Sequence, residues 1–129
     1  MKITVLGAGA WGTALGLVLE RGLHDVTFWG HDGAHLGDMQ RSGLNERYLP
    51  GVKLPADWIY EASLAKAIEG AEAVVAAVPS KAFREVTGTL KDFSGTIVSV
   101  TKGIEHSTGL TMCGVLAETA PHAQIAALS

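Results

Sequence analysis

The hexapeptide Gly7-Ala8-Gly9-Ala10-Trp11-Gly12 restricts the fold more than any other part of this chain, because of what flanks it. An apolar, β-favouring run at 3–6 precedes it and a helix-forming stretch at 11–21 follows it. In that setting each glycine has a physical task. Gly7 makes the tight turn, Gly9 lets backbone approach a ligand, and Gly12 lets helix pack closely on strand. The amides that open the helix have no partner inside it, and the helix dipole adds to their pull on an anion. The arrangement implies a site for the pyrophosphate of a dinucleotide.

The rest of the chain alternates between two periods. Short runs, apolar on both faces, recur at 26–29, 73–78 and 97–100, with weaker ones at 58–60 and 125–128. Such runs fit parallel strands covered by helices. Helical stretches lie between them. The first puts Trp11, Leu15, Val18 and Leu19 on one face and closes near Gly22. Others are predicted at 32–40 with Asp32 as N-cap, 63–68 stopped by Gly70, 79–90 opening on Pro79, and 109–119. This order predicts an α/β fold, a doubly wound and mostly parallel Rossmann sheet, as one domain over 1–129. Its six strands should run 3-2-1-4-5-6. The stretch 42–57 reads as a long irregular loop, and loops of that length are usually functional or mobile.

Composition removes several classes of partner. The net charge is −3 with Lys and Arg scattered, which leaves no footprint for nucleic acid or an anionic membrane. The apolar run at 3–6 is too short to span a bilayer, and the N-terminus lacks the parts of a signal peptide. Cys113 is the only cysteine, so no internal disulfide forms, and a reducing cytoplasm is the expected compartment. Its place mid-helix on an apolar face reads as core. His24, His35, His106 and His122 show no metal-ligand spacing and read as surface or loop residues.

Which nucleotide the loop would hold depends on the end of the second strand. A carboxylate there would bind the ribose 2′-hydroxyl and select NAD. The chain offers Trp29-Gly30-His31-Asp32. Asp32 is near, yet it also suits the role of helix cap. His31 meets a 2′-phosphate when protonated, stacks on adenine when neutral, or is simply a solvated loop residue. Both NAD and NADP are compatible with this mixed signal.

Five ordered segments carry a more specific likeness. Gly7-Ala8-Gly9-Ala10-Trp11-Gly12-Thr13-Ala14-Leu15 and Trp29-Gly30-His31-Asp32 come first. Asn45-Glu46-Arg47-Tyr48-Leu49-Pro50-Gly51-Val52-Lys53-Leu54-Pro55 occupies the long loop. Val78-Pro79-Ser80 and Thr101-Lys102-Gly103-Ile104-Glu105 follow the fourth and fifth strands. Taken together and in one register, the chain resembles the amino-terminal, cofactor-binding part of bacterial NAD(P)-dependent glycerol-3-phosphate dehydrogenases.

Lys102 follows a strand at the carboxyl edge of the sheet, where ligands bind, and an ammonium there would stabilise charge developing on a reduced carbonyl oxygen. A solvated loop lysine is the alternative. The resemblance implies that Lys102 touches both cofactor and substrate, and that Trp11 lies against the cofactor rather than in the core. Tyr48 and Arg47 either flank the nicotinamide or adenine end or stand at the surface. The candidate site is then Gly7, Gly9, Ala10, Trp11, Gly12, His31, Asp32, Tyr48, Pro79 and Lys102, without Arg47. The implied substrate pair is dihydroxyacetone phosphate and glycerol 3-phosphate, used in glycerophospholipid synthesis, in a protein that pairs as a homodimer. Family members continue into a helical substrate domain with a second catalytic lysine, the general acid/base, for which this chain has no candidate. The chain alone is therefore expected to bind cofactor with little or no turnover. Two other readings stay open: the cofactor domain of another two-domain hydroxy-acid dehydrogenase, and a stand-alone NAD(P)-sensing module.

Overall fold

β-branched and aliphatic residues dominate the short apolar runs, and each such run is a strand in the computed structural model, which describes residues 1–128. Ser129, the last residue of the expected domain, lies outside the described residues. In chain order, β1 (Lys2–Leu6), α1 (Ala10–Arg21), β2 (Asp25–Trp29) and α2 (Gly33–Ser42) come first. A hairpin of β3 (Leu44–Asn45) and β4 (Leu49–Lys53) leads to β5 (Ile59–Tyr60) and the short α3 (Leu64–Ile68). Then come β6 (Ala73–Ala76), α4 (Ser80–Thr87), β7 (Thr96–Ser99), α5 (Met112–Thr119) and β8 (Gln124–Ala127).

The six-stranded sheet has the order β5-β2-β1-β6-β7-β8, with every pairing parallel. That is the expected 3-2-1-4-5-6 winding. Alternate residues of the central strands feed opposite faces. On β1, Ile3 and Val5 join Val26, Phe28, Leu36, Met39 and Trp58 on the side of α1 and α2. Leu6 instead joins Val74, Ala76, Phe83, Leu90, Ile97 and Leu116 beneath α4 and α5. Each fully buried side chain of this kind contributes about 1.5–3 kcal/mol relative to exposure. Thr4 is buried between the layers and satisfied, its hydroxyl donating to the Ala67 carbonyl at 2.6 Å. No helix among the described residues is long and apolar enough to cross a membrane.

Five expectations are corrected. The stretch 42–57 is not irregular throughout, because α2 ends at the left-handed Gly43 (φ +70°) and the chain turns directly into the hairpin. The buried face of α1 is not the Trp11–Leu15–Val18–Leu19 stripe, since Trp11 and Val18 are exposed. Close packing chose a face of small residues instead. A Cβ on Gly16 would stand 2.6 Å from Cζ of Phe28, so only glycine lets the helix approach the sheet there. The last predicted helix starts at Met112, not at 109, because Thr111 caps it by accepting from the Gly114 amide, and Cys113 in its first turn is only half-buried. Finally, His35 is a half-buried member of α2 rather than a surface or loop residue.

Candidate functional site

The sheet order reverses between β1 and β6, and the chain leaves both strands at their carboxyl ends beside one crevice. Gly7 follows β1 with φ +112°, and a Cβ on it would lie 2.8 Å from the Ala77 carbonyl oxygen. Gly12 is packed still more closely, 2.2 Å from the Gly7 carbonyl on the same measure. Gly9 is different: nothing stands within 4 Å of where its Cβ would project. It caps α1 without a side-chain bond, and no acidic residue occupies the first turn. The opening amides of α1 are thus left for an outside acceptor, and the space over Gly9 admits one. A pyrophosphate fits this cradle in charge and in room.

A buried polar network fixes the cradle's shape. Asn45, completely buried at the end of β3, donates from Nδ2 to the Ala8 carbonyl at 3.0 Å and to Oγ1 of Thr13 at 2.9 Å. Thr13 Oγ1 in turn donates to the Gly9 carbonyl at 2.7 Å. Because a carbonyl only accepts, these bonds orient the amide and turn its Oδ1 toward His35 Nε2 at 2.9 Å, which therefore carries the proton. The His35 ring meets Tyr48 edge-on, centroids 5.3 Å apart. The hairpin is thereby tied to the glycine loop.

The outer rim carries charge. Asp32 caps α2 by accepting from the His35 amide at 3.1 Å, and its other oxygen accepts from Arg47 Nη1 at 3.3 Å. The His35 amide first, and Arg47 second among the attractive partners, hold the Asp32 carboxyl below the usual range. Gly7, Gly9, Trp29, His31, Asp32, Arg47, Tyr48 and Pro79 are among the residues lining the crevice, about 190 Å³ in volume. A wider groove of about 480 Å³ between α2 and the hairpin shares Asp32, His35 and Arg47 with it, but none of the glycine loop.

Across the same edge, Thr101 Oγ1 donates to the Val78 carbonyl at 2.5 Å and joins the segments after β6 and β7. Lys102 is the next residue and is exposed. Its segment is anchored farther on, where Arg84 of α4 holds Glu105 through two bonds of 2.8 and 2.9 Å and reaches Glu118 at 2.7 Å. Those two bonds, with one from Thr108, pull the Glu105 carboxyl down to about 2.

The family model described as "NAD-dependent glycerol-3-phosphate dehydrogenase N-terminus" matches residues 2–129. The chain belongs to this family. It is 49% identical to the glycerol-3-phosphate dehydrogenase [NAD(P)+] of Anaeromyxobacter dehalogenans, aligned over 100% of this chain and 41% of that protein. The corresponding protein of Chlorobium phaeobacteroides is 42% identical over 99% of this chain and 40% of its own length. Among solved structures, glycerol-3-phosphate dehydrogenase from Coxiella burnetii matches with a TM-score of 0.88 at 35% identity, covering 98% of this chain and 39% of that one. The chain thus spans about two-fifths of the length of these relatives.

Of the residues expected in the candidate site, Gly7, Gly9, His31, Asp32, Tyr48 and Pro79 line the crevice together. Gly12 lies beneath the loop, while Ala10, Trp11 and Lys102 stand outside the crevice lining, Trp11 with 53% of its surface exposed. The network of Asn45, Thr13 and His35 was not foreseen. Asn45 stood in the family-like segment, but nothing local signals its partners, which come from 37 and 32 positions away. Among the described residues no group of three or more His, Cys, Asp or Glu could hold a metal ion.

Proposed function

We propose that this chain is the NAD(P)-binding part of an enzyme that interconverts dihydroxyacetone phosphate and sn-glycerol 3-phosphate by hydride transfer. The observation that carries the reading is the uncapped start of α1 under the open face of Gly9, on the same sheet edge as Lys102. The amides of Ala10 and Trp11 would take the pyrophosphate, with Gly7 and Gly12 holding the turn. His31, Asp32 and Tyr48 would meet the adenosine end, and Pro79 would border the path toward the nicotinamide. When bound, the nicotinamide supplies or accepts the hydride. Lys102 would hold its ammonium against the substrate's carbonyl or hydroxyl oxygen and its phosphate, favouring the negative charge that develops on oxygen. Trp11, exposed in the first turn of α1, would cover the cofactor and exclude water from it.

The same reading places the enzyme in glycerophospholipid synthesis, as a cytoplasmic homodimer without a nucleic-acid partner. The family likeness and the scattered weak charge support it. Calorimetric titration of the folded chain with NADH and NADPH is the direct test. Binding of at least one is expected, and a folded chain that binds neither would overturn the reading.

A further inference from the structure

Resting on that cofactor reading, we propose that Arg47 is the specificity-determining residue that admits a 2′-phosphate, so that this chain takes NADP(H) at least as well as NAD(H). In a site that selects the unphosphorylated ribose, a carboxylate after the second strand accepts from the 2′-hydroxyl and repels a phosphate. Asp32 is the only acid in the segment that follows β2, and both its oxygens are engaged. Oδ1 accepts from the His35 amide and Oδ2 from Arg47. The carboxylate that would exclude a phosphate is therefore faced by a cation from the hairpin.

Arg47 keeps the means to do more. Its bond to Asp32 is a single one of 3.3 Å between exposed groups, a weak pairing, and a guanidinium has five N–H donors. Among the described residues no other hydrogen bond engages it. Its Cζ lies 5.8 Å from the centroid of the Tyr48 ring, a contact that keeps the side chain over the crevice. His31, on the same rim, offers one ring N–H in either tautomer. A planar fork beside a second donor suits a phosphate monoester, which accepts two parallel bonds from arginine.

The test measures dissociation constants for NADH and NADPH side by side in the native chain and in Arg47→Ala and Asp32→Asn. The native chain should bind NADPH no more weakly than NADH. Arg47→Ala should move the ratio of the two constants roughly tenfold toward NADH, the value of one charge-assisted hydrogen bond. Asp32→Asn keeps a good helix cap while removing the negative charge, so its ratio should move toward NADPH. A native chain that strongly prefers NADH, or a ratio unmoved by Arg47→Ala, overturns the role of Arg47 and leaves the cofactor reading standing. Failure of the native chain to bind either nucleotide overturns both.

Discussion

Asn45 Nδ2 lies 3.0 Å from the carbonyl oxygen of Ala8 and joins the hairpin to the glycine loop across 37 positions of the chain. The same nitrogen serves Thr13, and both acceptor residues are buried. Asn45→Ala leaves the buried Ala8 carbonyl without its donor and the Thr13 hydroxyl with only its bond to Gly9, at a cost of about 1–3 kcal/mol. Asn45→Asp should cost at least as much, since it sets a second acceptor against the Ala8 carbonyl. Urea denaturation measures both. Titration of the folded variants with NADH should show weaker binding, because the loop has lost its strut.

Glycines of the loop separate by what surrounds them. Gly12→Ala places a Cβ into the Gly7 carbonyl, 2.2 Å away, and should cost about 3 kcal/mol as backbone is forced apart. Gly9→Ala meets no atom within 4 Å, so its stability should stay within about 1 kcal/mol of native. The added methyl does stand where a pyrophosphate would rest. Affinity for NADH should then fall by about tenfold or more, as expected for the loss of one charged hydrogen bond. Thermal melts and cofactor titrations on the two variants should give opposite patterns.

Acid should loosen the anchor beyond Lys102. Hydrogen bonds from Arg84 hold the folded Glu105 carboxyl at about 2, below its ordinary 4.5. A group whose value falls on folding stabilises fully above its unfolded value, and that contribution disappears as pH drops toward the folded one. Stability measured between pH 5 and pH 2 should therefore decline in the native chain. Glu105→Gln should be less stable at neutral pH and show a shallower decline over that window. A slope unchanged by Glu105→Gln would mean that other carboxylates carry it.

Lys102 is exposed and makes no ion pair among the described residues, so Lys102→Ala should leave the melting temperature of this chain nearly unchanged. In a protein that carries the full length of the family, the same change should abolish dihydroxyacetone phosphate reduction while NADH still binds. Undiminished turnover in that variant would remove Lys102 from the chemistry.

Much of this was legible in the residues. The spacing of Gly7, Gly9 and Gly12 between an apolar run and a helix fixes a strand–turn–helix unit, because steric room and chain reversal are local properties. Alternating apolar runs fix the strands, and right-handed crossovers leave few ways to order them, so the 3-2-1-4-5-6 sheet follows from the chain alone. Asp32 as helix cap is local in the same sense. Tertiary packing decided the rest. Gly16 brought α1 down on Phe28 and left Trp11 facing solvent, a choice that helical periodicity cannot make among apolar neighbours. The hairpin carried Asn45 under Ala8 and Arg47 onto Asp32. A side-chain amide or guanidinium shows its capacity for bonds in the sequence, but its partner is set only by which backbone arrives within about 3 Å of it.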